Sequence, residues 1–107
     1  MGEMNPSGDL RERIIQAIKT VYDPEIPVDV YDLGLIYEIK IFPINNVEIL
    51  MTLTSPACPA AESLPSEVQQ KVSYIKEVND VHVEITFDPP YSPDMMSESA
   101  KLELGFL

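Results

Sequence analysis

The hydrophobic residues of the chain follow two kinds of spacing, which together predict six elements. From Asp9 onward they recur at the spacing of a helix. Asp9 would cap this first helix, with Glu12 completing a capping box. Asp23-Pro24 would end it, because a residue before proline is disfavoured in the helical region. The apolar stripe consists of Leu10, Ile14, Ile15, Ile18, Val21 and Tyr22.

Two alternating stretches come next and predict a β-hairpin. Glu38 and Lys40 lie on the polar side of the first, and turn-forming residues at 43–46 separate it from the second. We expect a loop of three to five residues between the strands. The inward residues are Leu35, Tyr37, Ile39 and Ile41 in the first strand, and Val47, Ile49, Met51 and Leu53 in the second.

A second helical pattern, a third strand and a short last helix complete the chain. Pro65 predicts either a kinked second helix or a short turn followed by a helix with Pro65 in its first turn. The stiff segment 88–93 leads to a helix from about Ser97 to Leu104, ended by Gly105. The second helix carries Ala61, Leu64, Val68, Val72 and Ile75; the third strand points Val81, Val83, Ile85 and Phe87 inward and His82, Glu84 and Thr86 outward.

This order of elements predicts an α+β fold, a two-layer sandwich with the helices on one face of a small three-stranded sheet. We expect a flexible tail over residues 1–8 and a single domain over residues 9–107. The pattern leaves the strand order open.

Charge and cysteine content narrow the choice of partners. Eighteen acidic and seven basic residues give a net charge of −11, which disfavours nucleic acid and anionic membranes and favours a basic protein surface or a cation. No apolar run is long enough to span a bilayer. The single cysteine excludes an internal disulfide, so we expect a cytoplasmic protein.

Cys58 is the strongest candidate for chemistry. It lies between the second strand and the second helix, in Thr54-Ser55-Pro56-Ala57-Cys58-Pro59. A thiol at a helix N-terminus is stabilised as the thiolate, which binds metals. A turn between Cys58 and the helix would weaken this argument. The alternative is an inert, packed thiol.

Other polar residues have a structural and a functional interpretation. Asp23, Glu25, Asp29 and Asp32 could bind a hard cation, but their spacing matches no EF-hand, so we favour solvated carboxylates or a docking surface for a basic partner. His82 is interpreted as a surface residue rather than a metal ligand.

Three segments resemble the MIP18-like family, formerly DUF59. The first runs from Asp23 to Tyr37, the second from Thr52 to Pro59, and the third combines Thr86 to Tyr91 with Met96-Ser97-Glu98 and Leu104-Gly105-Phe106. The resemblance implies a role in iron–sulfur cluster assembly, with a SUF-type scaffold and client apo-proteins as partners. By position, Cys58 matches the family's functional cysteine, and Asp23, Glu25 and Asp32 match acidic positions of its first signature.

The resemblance also leaves alternatives. Tyr91 stands where many relatives have tryptophan; with Thr54 and Pro59, we expect it to support the cysteine loop. A second branch of the family supplies a non-catalytic small subunit for phenylacetyl-CoA epoxidation, but it usually has a longer, cysteine-bearing C-terminus. A pure interaction module is a further alternative.

The number of candidate ligands limits what a cofactor could be. Clusters usually need four cysteine ligands, whereas this chain has one cysteine and one histidine. We therefore expect no stably bound cofactor but transient contact of iron or a cluster with Cys58, completed by a client or by a homodimer. We expect no enzymatic activity, because His82 is not predicted near Cys58 to act as its base.

Overall fold

The computed structural model describes residues 6–23, 26–54 and 63–105. They form an α+β fold of three helices and a three-stranded sheet, as the sequence predicts. In chain order the elements are α1 (Pro6–Ile18), β1 (Ile36–Phe42), β2 (Asn46–Met51), α2 (Ser63–Ser73), β3 (Asp80–Ile85) and α3 (Glu98–Leu104).

The sheet has the order β1-β2-β3, and its two pairings differ in direction. β1 and β2 form an antiparallel hairpin, whereas β2 and β3 run parallel. The chain must therefore cross over between β2 and β3, and α2 lies in that crossover. As a result β1 begins where β2 and β3 end. We call this the site end of the sheet, defined by the paired residues Ile36, Met51 and Ile85.

The core lies between the sheet and the helices α1 and α2. Burying apolar side chains of this size stabilises the fold by roughly 1.5–3 kcal/mol each, so this layer holds the sheet and the two helices together. Its fully buried members include Ile14 and Ile18 of α1, Ile49 and Met51 of β2, and Leu64, Val68 and Val72 of α2.

Both ends of α1 differ from the prediction. The helix begins at Pro6, inside the predicted tail, so Asp9 lies within it and the predicted cap was wrong. It also ends at Ile18 rather than at Asp23. Val21 is fully buried, but as extended chain whose carbonyl oxygen accepts a hydrogen bond from the Val30 N–H, and Tyr22 is 52% exposed. Spacing alone did not separate the helix from the buried segment after it.

The second half of the chain follows the pattern with one exception. α2 spans Ser63–Ser73, so Pro65 lies in the first turn of its described part. The residues before Ser63, where the two predicted alternatives differ, lie outside the described residues. Gly105 ends α3 with φ +82°, as predicted. Phe87 was predicted inward and is 46% exposed, because β3 ends at Ile85.

The hairpin loop has three residues, within the predicted range, and is fixed to the start of β3. Ile44 adopts φ +59° with its side chain exposed, a conformation rare for a β-branched residue. Asn45 donates a side-chain hydrogen bond to the Glu77 carbonyl oxygen at 3.0 Å, and its own carbonyl oxygen accepts from the Asn79 N–H at 2.9 Å. These bonds fix the strained turn.

None of the helices in the described segments has the length and hydrophobicity that crossing a membrane requires.

Candidate functional site

The described parts of the three segments singled out in the sequence meet at the site end of the sheet. The first leads into β1, the second follows β2 and the third follows β3. The Thr52 N–H donates to the Leu35 carbonyl oxygen at 2.8 Å, and the Thr86 N–H donates to the Met51 carbonyl oxygen at 2.9 Å. The first and second segments are thus hydrogen-bonded to each other, and the third is hydrogen-bonded to the last residue of β2. The topology that makes β2 and β3 parallel brings them together.

The acidic loop before β1 is packed rather than solvated. Asp23 and Asp29 are both 7% exposed. Asp29 Oδ2 accepts a hydrogen bond from the Asp32 N–H at 2.9 Å and so closes a local turn. Asp23 and Asp29 therefore offer a partner little area, and the docking surface that includes them stays a prediction. Asp32 is partly exposed, and Glu25 lies outside the described residues.

Burial also changes the titration of this loop. Loss of hydration raises the pKa of the Asp29 carboxyl, and the charge of Asp32 raises it further. The backbone N–H of Asp32 lowers the pKa, but the raising effects prevail. The charge of Asp32 is partly compensated, since its Oδ1 lies 4.0 Å from Lys19 Nζ. Lys19 also stands 5.6 Å from the centre of the Tyr31 ring, a cation–π distance.

Tyr91 connects the third segment to the first. Its ring is half-buried, and its hydroxyl donates a hydrogen bond to the Leu33 carbonyl oxygen. Burial raises the pKa of this hydroxyl, as does the nearby Tyr37. The phenol is therefore a neutral donor that fixes the loop before β1. A tryptophan at this position would have its donor in a different place.

The cysteine segment itself lies outside the described residues, which include neither Cys58 nor Pro59. Thr54 is exposed and is the last described residue before them. The described part of α2 begins at Ser63, five positions after Cys58, so the thiolate at a helix N-terminus stays a prediction. The supporting role of Thr54, Pro59 and Tyr91 stays a prediction.

His82 lies where the alternation placed it, exposed on the open face of the sheet, opposite Glu48. Within residues 6–23, 26–54 and 63–105, no three His, Cys, Asp or Glu side chains are grouped closely enough to hold a metal ion.

Sequence reasoning missed two contacts that shape the site end. A bulge between Ile36 and Glu38 leaves Tyr37 of β1 without a partner residue on β2. The Tyr37 hydroxyl donates a hydrogen bond to the Pro89 carbonyl oxygen at 2.9 Å. Gly34, at φ +86°, lies against Met95, where a Cβ would be 2.7 Å from the Met95 carbonyl carbon. The glycine after Asp32-Leu33 was the available signal for this close approach.

Comparison with known proteins adds independent information. The sequence profile of the family described as "Iron-sulfur cluster assembly protein" matches residues 11–101. The chain is 52% identical over 96 residues to an Fe-S protein maturation auxiliary factor of Porphyromonas gingivalis, covering 90% of this chain and 91% of that one. It is 38% identical over 85 residues to the maturation auxiliary factor SufT of Staphylococcus aureus, covering 79% and 97%.

The chain is also similar to part of a longer protein and to a solved structure. An iron-sulfur cluster carrier protein of Synechocystis is 27% identical over 89 residues, which is 80% of this chain but 25% of that protein. The crystal structure of a DUF59 domain from Bacillus anthracis superposes with a TM-score of 0.86 at 34% identity, covering 96% of this chain and all of that one. Its agreement supports the fold described above.

Proposed function

We propose that this chain, which belongs to the iron–sulfur cluster assembly protein family, is an accessory factor that assists cluster assembly or delivery to client proteins through Cys58. Its relatives named as maturation auxiliary factors match it over nearly their whole length, 91% and 97% of the two described above. The role therefore fits a small single-domain chain, which we take to span residues 9–107.

The convergence of the three segments at the site end carries the proposal. Thr54, at that end, is four residues before Cys58, and four residues of extended chain reach at most about 14 Å. This reach supports the proposal that Cys58 acts together with the loop that holds Asp29 and the segment that holds Tyr91, and that its thiol contacts iron, a cluster or a client.

The supply of ligands makes such contact transient. A cluster usually takes four cysteine thiolates, and the chain has one cysteine. The remaining ligands would come from a SUF-type scaffold, a client apo-protein or a second copy. Exchange of those ligands would release the cluster to its client. With a single cysteine the chain needs no oxidising compartment, and we place this activity in the cytoplasm.

We further propose that the role is not enzymatic. A catalytic cysteine normally needs a base within hydrogen-bonding reach. His82 is the only histidine of the chain, and it lies on the open face of β3, opposite Glu48 rather than at the end of the strand. We therefore infer that His82 does not serve as the base of Cys58.

Replacement of Cys58 tests the proposal in cells. Cys58→Ala should fold normally but fail to restore the activity of aconitase-type enzymes in a strain lacking the gene. Gln69→Ala, on the exposed face of α2, should restore it fully and is the matched control. Normal aconitase activity with Cys58→Ala would show that the thiol has no part in the function.

Anaerobic reconstitution of the purified protein separates cluster contact from partner contact. Iron and sulfide should give wild type a weak visible absorption that is removed by gel filtration and absent from Cys58→Ala. No absorption in wild type, together with failure of Cys58→Ala in cells, would assign the thiol to a partner contact instead.

A further inference from the structure

A groove of about 600 Å³ opens on the face of the sheet opposite α1 and α2, next to the site end. Segment 88–97 forms one wall as it passes from the end of β3 to the start of β1. The strands form the other wall, through Tyr37 and Glu38 of β1 and Leu50 of β2. Leu50 is an apolar, half-buried residue on a face whose other strand residues are mostly polar. The groove therefore has an apolar floor.

The walls of this groove are fixed to one another. The Tyr37 hydroxyl donates to the Pro89 carbonyl oxygen at 2.9 Å, and the Ser97 N–H donates to the Asp32 carbonyl oxygen at 2.8 Å. Met95 is packed directly against Gly34. A groove whose walls are already in place costs a ligand little ordering free energy, so even a short segment could bind there.

Charge indicates which ligand fits. Among the residues that the structure describes, the groove is lined by three carboxylates, those of Asp32, Glu38 and Asp88, and by no lysine, arginine or histidine. Glu48 and Glu84 continue the acidic surface along the sheet.

Two lysines offset this charge only in part. Lys19 Nζ lies 4.0 Å from Asp32 Oδ1. Lys40 Nζ lies 3.9 Å from Glu38 Oε1, and Lys40 pairs across the strands with Glu48. The face remains acidic, in a chain of net charge −11.

These charges disfavour other occupants. A second copy of the chain would bring the same carboxylates against them, at a cost in repulsion. A bare divalent cation would need several converging ligands, and the described residues hold no group of three or more. A basic ligand with an apolar side chain can pair with the carboxylates that line the groove and pack on its apolar floor.

We propose that this groove binds an extended, lysine- or arginine-bearing segment of a partner protein. One apolar side chain of the segment lies on Tyr37, Leu50 and Met95, and its basic side chains pair with Glu38 and Asp88. The proposal does not depend on Cys58, and it moves the docking surface from the buried Asp23 and Asp29 to the open face of the sheet.

Binding of a defined peptide to the full-length protein tests this. The probe is a fluorescein-labelled peptide of seven residues, all lysine except a central leucine, measured by fluorescence anisotropy. The double variant Glu38→Lys/Asp88→Lys should bind it at least about tenfold more weakly than wild type, because two attractions become repulsions. Replacing the peptide's leucine with serine should weaken binding to wild type by about fivefold or more.

A matched variant separates the groove from net charge. Glu12→Lys/Glu67→Lys lies on α1 and α2 and changes the net charge by the same four units, from −11 to −7. This control variant should bind the peptide less than threefold more weakly than wild type. Equal losses for both double variants, or no effect of the leucine, would overturn the proposal.

Measurements on the wild type keep the test independent of folding. Amide chemical-shift changes on peptide addition should cluster at Tyr37, Leu50 and Met95; changes concentrated elsewhere would overturn the proposal. The neutral pair Glu38→Gln/Asp88→Asn should weaken binding by an intermediate factor. A wild-type dimer in sedimentation that Glu38→Lys/Asp88→Lys dissociates would assign the groove to a second copy instead.

Discussion

The Tyr91 hydroxyl donates a hydrogen bond to the carbonyl oxygen of Leu33, a residue 58 positions earlier in the chain. This bond joins the segment after β3 to the loop before β1. Removing the hydroxyl leaves a carbonyl group of a buried residue without this donor, so Tyr91→Phe should destabilise the fold by about 1 kcal/mol. The expected fall in Tm is about 4–8 °C for a domain of this size.

Tyr74→Phe is the matched control for this change. Tyr74 is 70% exposed, and its hydroxyl accepts a hydrogen bond from Gln70 Nε2 at 3.0 Å in solvent. Loss of this hydroxyl should leave Tm within about 1–2 °C of the wild-type value, as expected for an ordinary surface substitution. Equal shifts for the two variants in thermal unfolding would contradict the special place of Tyr91.

Gly34→Ala should destabilise the protein much more than Gly105→Ala, although both glycines have a positive φ, +86° and +82°. A Cβ at Gly34 would be 2.7 Å from the Met95 carbonyl carbon, whereas nothing lies within 4 Å of one at Gly105. Gly105→Ala should cost about 1 kcal/mol for the backbone conformation alone. We expect at least about 2 kcal/mol for Gly34→Ala, measured by urea unfolding. A similar loss of unfolding free energy for the two variants would mean that segment 93–96 moves away from the new Cβ at position 34 without cost.

Asp29→Asn should change how stability depends on pH. The raised pKa means that folded Asp29 holds its proton more tightly than the unfolded chain does. Its contribution to stability is therefore greatest below the unfolded value of about 3.8 and falls as pH rises toward the folded pKa. Asparagine can still accept a hydrogen bond from the Asp32 N–H but carries no charge. As pH rises over this range, the stability of the variant should therefore increase relative to that of wild type.

Urea unfolding of both proteins between pH 3.5 and 7, about the range in which carboxyl groups titrate, checks the sign. A carboxyl NMR titration of wild type should give Asp29 a pKa above 3.8. A constant stability difference, or one that changes in the opposite direction, would show that burial does not control this group.

The order of elements could be predicted because it rests on local spacing. The alternation of Ile39 and Ile49 and the turn residues between them specify a hairpin whatever the rest of the chain does. The start of α2 was left open, because Pro65 permits either a kink or a position in the first turn. The parallel partner of β2 could not be predicted, because pairing of β3 depends on how the crossover packs rather than on either strand's own pattern.

The site was predictable as a set of segments but not as a geometry. The sequence predicted the carboxylates of the site to be exposed loop residues. Asp29 is instead buried, and its backbone pairs with that of Tyr22, which the spacing of hydrophobic residues does not indicate. Tyr37 was placed by simple alternation, which a bulge interrupts. Both errors concern pairings between backbone segments, which the spacing of hydrophobic residues does not encode. The groove is lined by Tyr37 at the bulge, so the sequence alone did not predict it.

The parallel pairing of β2 and β3 also bears on how the region around Cys58 can evolve. Eleven residues, 52 to 62, connect the last residue of β2 to the first of α2. They belong to a crossover, so changing their number does not shift the register of either strand. Closing a loop twice as long costs only about 0.6 kcal/mol more. Relatives could therefore vary the length and residues of this connection to suit different clients while keeping the same scaffold.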